Sequence, residues 1–326
     1  MCRAGRRRRK ESRIGTLPGV RPAVRLFDER PVLAAILGAL TIAFSAIFVS
    51  LADVSPLTAA FFRCAYALPP LALIAVLERR RYGPRAPGQR RMAWIAGVFF
   101  AADLVLWHNA IEQVGAGLAT VLGNTQVVFV PLAAWLLLGE RPGARVAVSV
   151  PIVLSGVILI AGVFDDQAFG NNPLLGVAFG LGTGIAYAGF LLAQRHANAD
   201  TRRPGGPLFD ATMSAAICSL IIGLPLGELD LVPSWPSHGW LLLLALGVQV
   251  GGWLLISISL PRLPAAITSV VLTLQPVGSV LLGIWILNEL PSPMQLVGVA
   301  LILVGLIVTT LRVRPRWSRT AQPEVG

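Results

Sequence analysis

Six residues stand out because their chemistry does not belong to the stretches that hold them. Arg63, Asp103, Trp107, Asn124, Gln126 and Gln275 lie within long runs of Ala, Val, Leu, Ile, Phe and Gly. A charge at the centre of an apolar span costs about 2.5 to 3.5 kcal/mol on insertion scales, so such a group faces a partner, a cavity or a ligand. Arg63 can meet an anionic group, and Asp103 can hold a proton or a cation. Asp103 and Trp107 are four apart and share a helix face, setting a carboxylate beside an aromatic plane that suits an amphipathic or cationic ligand. The depths of Arg63 and Asp103 in their helices differ by only about 5 Å at 1.5 Å per residue, so a buried ion pair is the structural alternative.

Other polar groups divide between binding and packing roles. His108 lies about 140° round the helix from Asp103 and stacks with Glu112 instead, either as a pH-sensitive group or as an interfacial one. Thr120 and Asn124 share a face, whereas Gln126 is about 200° from Asn124, so both cannot point squarely into one cavity. Gln126 and Gln275 are either midplane residues of a cavity or interhelical hydrogen-bonding groups. Gln249 and Tyr187 are further isolated polar groups within apolar runs.

The elements that position these residues are read from hydropathy. Of 326 residues, 55% are hydrophobic and 13% charged, with a mean hydropathy of +0.72. That is more apolar surface than a water-soluble fold hides, and the expected class is an all-α integral membrane protein. Ten runs are long enough to cross about 30 Å of hydrocarbon, near 31–51, 56–77, 92–112, 117–138, 144–163, 174–194, 207–226, 238–260, 265–287 and 293–311. Helices are expected throughout, since the alternation of β-barrel strands is absent.

Charge placement predicts orientation. Residues 1–30 carry ten Arg or Lys and form a basic tail, and 312–326 form a second one. With both termini in the cytoplasm, all but Arg63 of the 27 basic residues fall on inner segments, while Asp53, Asp165, Asp166, Glu228, Asp230 and Glu289 fall outside. The positive charge then reflects topology at an anionic cell-membrane surface, and no nucleic-acid partner is expected. Cys2, Cys64 and Cys218 are too dispersed for a disulfide framework or a metal cluster.

A shift of 149 positions superposes Ala116 on Ala265, Gln126 on Gln275, Glu140 on Glu289, Pro142 on Pro291 and Gly156 on Gly305. The chain is a duplication of residues 31–163 and 174–311. Five helices per copy is odd, so the second copy enters the membrane from the opposite side: ten transmembrane helices as two inverted five-helix repeats, an arrangement that suits alternating access to a midplane site. Each elbow, Glu140 with Pro142 and Glu289 with Pro291, places a carboxylate ahead of a proline that can open the next helix, where it braces exposed amides or takes part in transport. Gly176, Gly180 and Gly184, continued by Ala188, form a small-residue stripe for close helix packing.

The segments GLATVLGNTQVVFVPLAAWLLLGERP and AITSVVLTLQPVGSVLLGIWILNELPSP, with Arg63 in LTAAFFRCAYALPPLALIAV, resemble the doubled EamA domain of the drug/metabolite transporter superfamily. The resemblance spans residues 31–311. It implies a secondary transporter that exports small organic metabolites such as amino acids, with helices 5 and 10 at the periphery and a proton as a candidate coupling ion. Two departures stand out: Asn288 replaces the Gly139 of the first copy, and Gln275 precedes Pro276 where many relatives place an acid. HExxH, GxSxG, P-loop and paired-Cys motifs are absent, so neither catalysis, a metal nor a cofactor is expected. The alternatives are a membrane enzyme acting on lipid-linked substrates and a non-transporting scaffold or sensor.

Overall fold

Proline marks where most of the helices begin. In the computed structural model, residues 31–310 are described apart from 140–142, 201, 233 and 260–264. Both basic tails, and Glu140 and Pro142 of the first elbow, lie outside the described residues. Helix α1 covers Pro31–Ala43 and Ser45–Ala52, α2 Pro56–Tyr82, α3 Pro87–Gly123, α4 Gln126–Leu138, α5 Ala144–Ile160, α6 Pro173–Ala197 and α7 Gly205–Leu226. Helix α8 runs Trp235–Leu242, passes through a π-helical segment Leu243–Gly252 and ends as Trp253–Ser259, followed by α9 Ala265–Ile286 and α10 Pro293–Thr310. Prolines at the first turns of α2, α3, α6 and α8 lack only an amide that has no intrahelical partner. Six helices (α1, α2, α3, α6, α7 and α8) are long and apolar enough to cross a membrane, and Ala144–Ile160, Leu274–Ile286 and Pro293–Thr309 are shorter apolar stretches.

The third and fourth runs divide differently from the sequence expectation. Helix α3 continues past residue 112, kinks at Gly115, whose φ of 84° is open to glycine, and stops at Gly123. At the stop, Asn124 Nδ2 donates to the Thr120 carbonyl (2.8 Å) and Thr125 Oγ1 to that of Leu122 (2.6 Å). These local bonds compete with the helical ladder and set the break before α4.

The kink at Gly115 strips two amides of helical acceptors, and Glu289 takes both. Its Oε1 accepts from Ala116 N–H and its Oε2 from Gly117 N–H at 3.0 Å. A side chain at Gly283 would collide with this carboxylate. Burial raises the Glu289 pKa above the ordinary carboxylate value, and the two amide bonds pull it back. Glu289 therefore braces a helix start, but one in the first repeat and not the helix it precedes. Helix α10 has its own capping box: Gln295 N–H donates to Ser292 Oγ (3.2 Å), and Ser292 N–H donates to Gln295 Oε1 (3.0 Å). The replacement of Gly139 by Asn288 has a backbone reason. Both have positive φ, 70° and 54°, and Asn is among the few side chains that tolerate that region.

Packing between the copies obeys the 149-residue shift. A side chain at Gly156 would strike Ile302, and one at Gly305 would strike Val153, the counterpart of Ile302. As residue numbers rise along α5 they fall along α10, so this pair is antiparallel. Gly205 faces Ile74 and Gly223 faces Leu57, so α2 and α7 are antiparallel too. Along α6, Gly176 meets Val114, Gly180 meets Leu122 and Gly184 meets Thr125, a parallel pairing with no room for larger residues. Its counterpart is α1 on α9, joined at Ala43 and Ser279. Leu136 and Trp285, again 149 apart, are 79% and 80% exposed, as lipid-facing positions require.

The ends of the helices differ in charge. Arg79, Arg85, Arg90, Arg202 and Arg203 gather where α2 meets α3 and α6 meets α7, held by Arg85–Asp210 (2.6 Å) and by Gly205 N–H on Glu78 (2.9 Å). Asp53, Glu228 and Asp230 mark the other end, where Ser55 Oγ donates to the Glu228 carbonyl. We expect Glu289→Ala, which leaves two buried amides unpaired, to cost about 1 to 3 kcal/mol for each. A lowered thermal unfolding midpoint in detergent checks this.

Candidate functional site

Arg63 is the eighth residue of α2, and its side chain is buried between helices. It is 5% exposed, and its Nε donates to Gln249 Oε1 at 3.0 Å. Gln249, fully buried, is held in the π-helical segment of α8, where Gly247, Gly251 and Gly252 ease the wider turn. Its Nε2 reaches Thr212 Oγ1 on α7 at 3.4 Å. The guanidinium carbon lies 5.9 Å from the Phe100 ring and 5.8 Å from the Trp107 ring, a cation between two π faces of α3.

Arg63, Phe100 and Trp107 line one cavity of about 80 Å³, several times the roughly 10–15 Å³ that one water needs. Its walls come from α1, α2, α3, α6, α8 and α9, with Asn124 just past the end of α3, and neither α5 nor α10 contributes. Of the six residues singled out in the sequence, Arg63, Asp103, Trp107, Asn124 and Gln275 line it. Gln126 does not; its backbone nitrogen lies against Gly184 on α6. The break at Asn124 and Thr125 accounts for this, because it separates Gln126 from the helix that carries the cavity face.

Arg63 and Asp103 share the cavity without forming an ion pair. All nitrogen–oxygen contacts within 4.0 Å between charged side chains among the described residues involve Asp200 or Asp210. Three lining residues have buried polar atoms without a partner: Ser45 Oγ, Thr183 Oγ1 and Trp253 Nε1. Buried polar atoms are almost always paired, so several orphans around one space point to a polar occupant. Phe100, Phe190, Tyr187 and Trp253 stack into a wall behind them, with Phe100 and Phe190 4.9 Å apart and Tyr187 and Trp253 6.4 Å apart.

Ser45, Thr183 and Trp253 carried no signal strong enough to single them out. Serine and threonine are ordinary in apolar helices, and Trp253, six residues before the end of α8, is close enough to that end to pass for an interfacial tryptophan. His108 turns away from the cavity. It is 1% exposed, its Nδ1 donates to the Pro56 carbonyl at 3.0 Å, and it lines a separate cleft of about 210 Å³ with Asp53 and Glu112. Adjacent Trp107 and His108 thus stand between the two spaces.

The sequence matches the EamA-like transporter family twice, over residues 30–162 and 174–311. The chain belongs to this family. It is a multi-pass membrane transporter of the drug/metabolite transporter superfamily. Similar proteins include the uncharacterized transporter YwfM of Bacillus subtilis, 27% identical over 71% of this chain and 76% of that one. The threonine/homoserine exporter RhtA of Escherichia coli is 28% identical over 76% of this chain and 80% of its own. A solved crystal structure, 18% identical, covers 86% of this chain and 97% of that one with a TM-score of 0.56, a likeness of fold.

Within this EamA protein Gln249 positions Arg63. Gln249→Leu leaves Nε without its acceptor, and we expect a loss of about 1.5 to 3 kcal/mol, the range for a hydrogen bond to a charged group. Thermal unfolding in detergent reads this, with Gln249→Glu, which keeps an acceptor, remaining closer to wild type.

Proposed function

We propose that this EamA-family protein is a secondary transporter of the cell membrane that exports small zwitterionic metabolites, amino acids first among them, by alternating access. The observation that carries the reading is the unpaired Arg63 and Asp103 in one cavity with the orphaned Ser45, Thr183 and Trp253. A molecule bearing both a carboxylate and an ammonium group satisfies both charges at once. Trp107 and Tyr187 supply apolar surface for its carbon skeleton. The exporter similar to this chain, named for threonine and homoserine, acts on substrates of this kind.

In this reading residues 31–163 and 174–311 are two five-span repeats inserted in opposite directions, with both termini cytoplasmic. The antiparallel contact of α5 with α10 and the separation of basic from acidic helix ends support it. The coupling ion is a proton. Asp103 holds either that proton or the substrate's ammonium group, so loading one displaces the other. Rocking of one repeat against the other then presents Asp103 to each side in turn.

The test is flux of labelled amino acids in proteoliposomes under a pH gradient. Wild type is expected to move at least one of them against its concentration. Arg63→Ala and Asp103→Asn each remove a charged partner, worth about 1.5 to 3 kcal/mol, and should weaken apparent affinity by about 10- to 150-fold. Arg202→Gln, on the exposed surface, should not. Wild-type flux no greater than that of empty vesicles across an amino-acid panel, or full activity in Asp103→Asn, contradicts the proposal.

A further inference from the structure

A second built cavity lies away from the transport site, at the basic end of the helices. It has a volume of about 230 Å³ and is formed by the last turns of α2, the link to α3 and the start of α7. Four guanidinium groups line it, those of Arg79, Arg85, Arg90 and Arg203, against the carboxylates of Glu78 and Asp210.

Both carboxylates are already engaged. Glu78 accepts from the amides of Gly205 and Gly206, at 2.9 and 2.7 Å, and so caps α7. Asp210 accepts from Arg85 Nη2 at 2.6 Å, with Arg90 Nε 3.8 Å away. Arg203 donates from Nη1 to the Gly83 carbonyl at 3.0 Å, and its Nε lies 3.1 Å from Asp200 without a hydrogen bond. What remains is Arg85 Nη1, buried without a partner, together with Arg79, which makes no ion pair among the described residues, and the 60% exposed side chain of Arg90. The cleft holds more positive charge than its own acids neutralise, and two of its donors, Arg85 Nη1 and Arg203 Nε, are shut away from water without a hydrogen bond.

The rest of the lining is largely apolar. Ala72, Val76 and Phe209 belong to it, and Val76 is continuous on α2 with Leu73 and Leu77, which are 61% and 52% exposed. An occupant therefore meets both guanidinium groups and apolar side chains continuous with the lipid-facing surface of α2. Two non-bridging phosphate oxygens match a guanidinium fork, and basic pockets between membrane helices suit lipid headgroups. We propose that this cleft is a specific binding site for the phosphodiester headgroup of an anionic phospholipid, with the lipid's acyl chains lying along α2. A free phosphate shares the headgroup chemistry but makes no use of the apolar side chains.

Purified full-length protein in an uncharged detergent, titrated with phosphatidylglycerol, phosphatidylcholine or inorganic phosphate and read by native mass spectrometry, tests the site. Phosphatidylglycerol should occupy one site per chain at least about tenfold more tightly than phosphatidylcholine, and excess inorganic phosphate should not displace it. The exposed pair Arg79→Gln with Arg90→Gln should weaken phosphatidylglycerol binding about tenfold, and Arg90→Gln alone should weaken it in the same direction. Arg80→Gln with Arg91→Gln removes the same charge nearby without touching the cleft and should leave binding unchanged. Equal binding of the two lipids, displacement by inorganic phosphate, or equal losses in both double variants overturns the proposal.

Discussion

Hydrocarbon gives a peptide group nothing to bond to, and this constraint governs both the regular and the irregular parts of the molecule. At three departures from the helical ladder, named side chains take over. The kink at Gly115 is met by Glu289, the break after Gly123 by Asn124 and Thr125, and the start of α10 by Ser292 and Gln295. The clasp of Glu289 matters most, because it crosses from one copy to the other. It anchors the segment of α3 that bears Thr120 and Gly123, both cavity residues, to the second repeat.

The same constraint makes the cavity polar by concentration. Charges excluded from lipid are gathered between the copies, where Arg63 is held by Gln249 and two aromatic rings and makes no direct ion pair with nearby Asp103. Helices α5 and α10 contribute no wall. They pack on each other through Gly156 and Gly305 and close the periphery. The division of labour follows from the pairing: small residues bring backbones together where rigidity is needed, and large aromatics stand where a ligand is to be enclosed.

Much of this was legible in the residues, for identifiable reasons. The 149-residue shift is visible because Gln, Glu, Pro and Gly are scarce in apolar helices, and the contacts Gly156 with Ile302 and Gly305 with Val153 repeat it in space. Arg63 and Asp103 were conspicuous because lipid makes them costly. The target of Glu289 was not legible, since no local pattern says that Gly115, 174 positions away, will free two amides. Nor was the fate of Gln126, whose equivalence to Gln275 suggested a symmetric pair; the bonds of Asn124 and Thr125 break the helix in the first copy. Thr183 and Ser45 gave no warning, because hydroxyls in such helices usually bond back to their own backbone.

In the proposed reading, two copies of one fold inserted in opposite directions about a shared polar cavity are the arrangement from which exchange between the two membrane faces follows. Single cysteines at Gly143 and Leu290, in a protein whose Cys2, Cys64 and Cys218 are replaced by serine, report on it through a membrane-impermeant thiol reagent. The account predicts that Leu290→Cys is labelled in intact cells and Gly143→Cys only after the membrane is opened. Labelling of both from the same side would contradict the inverted arrangement.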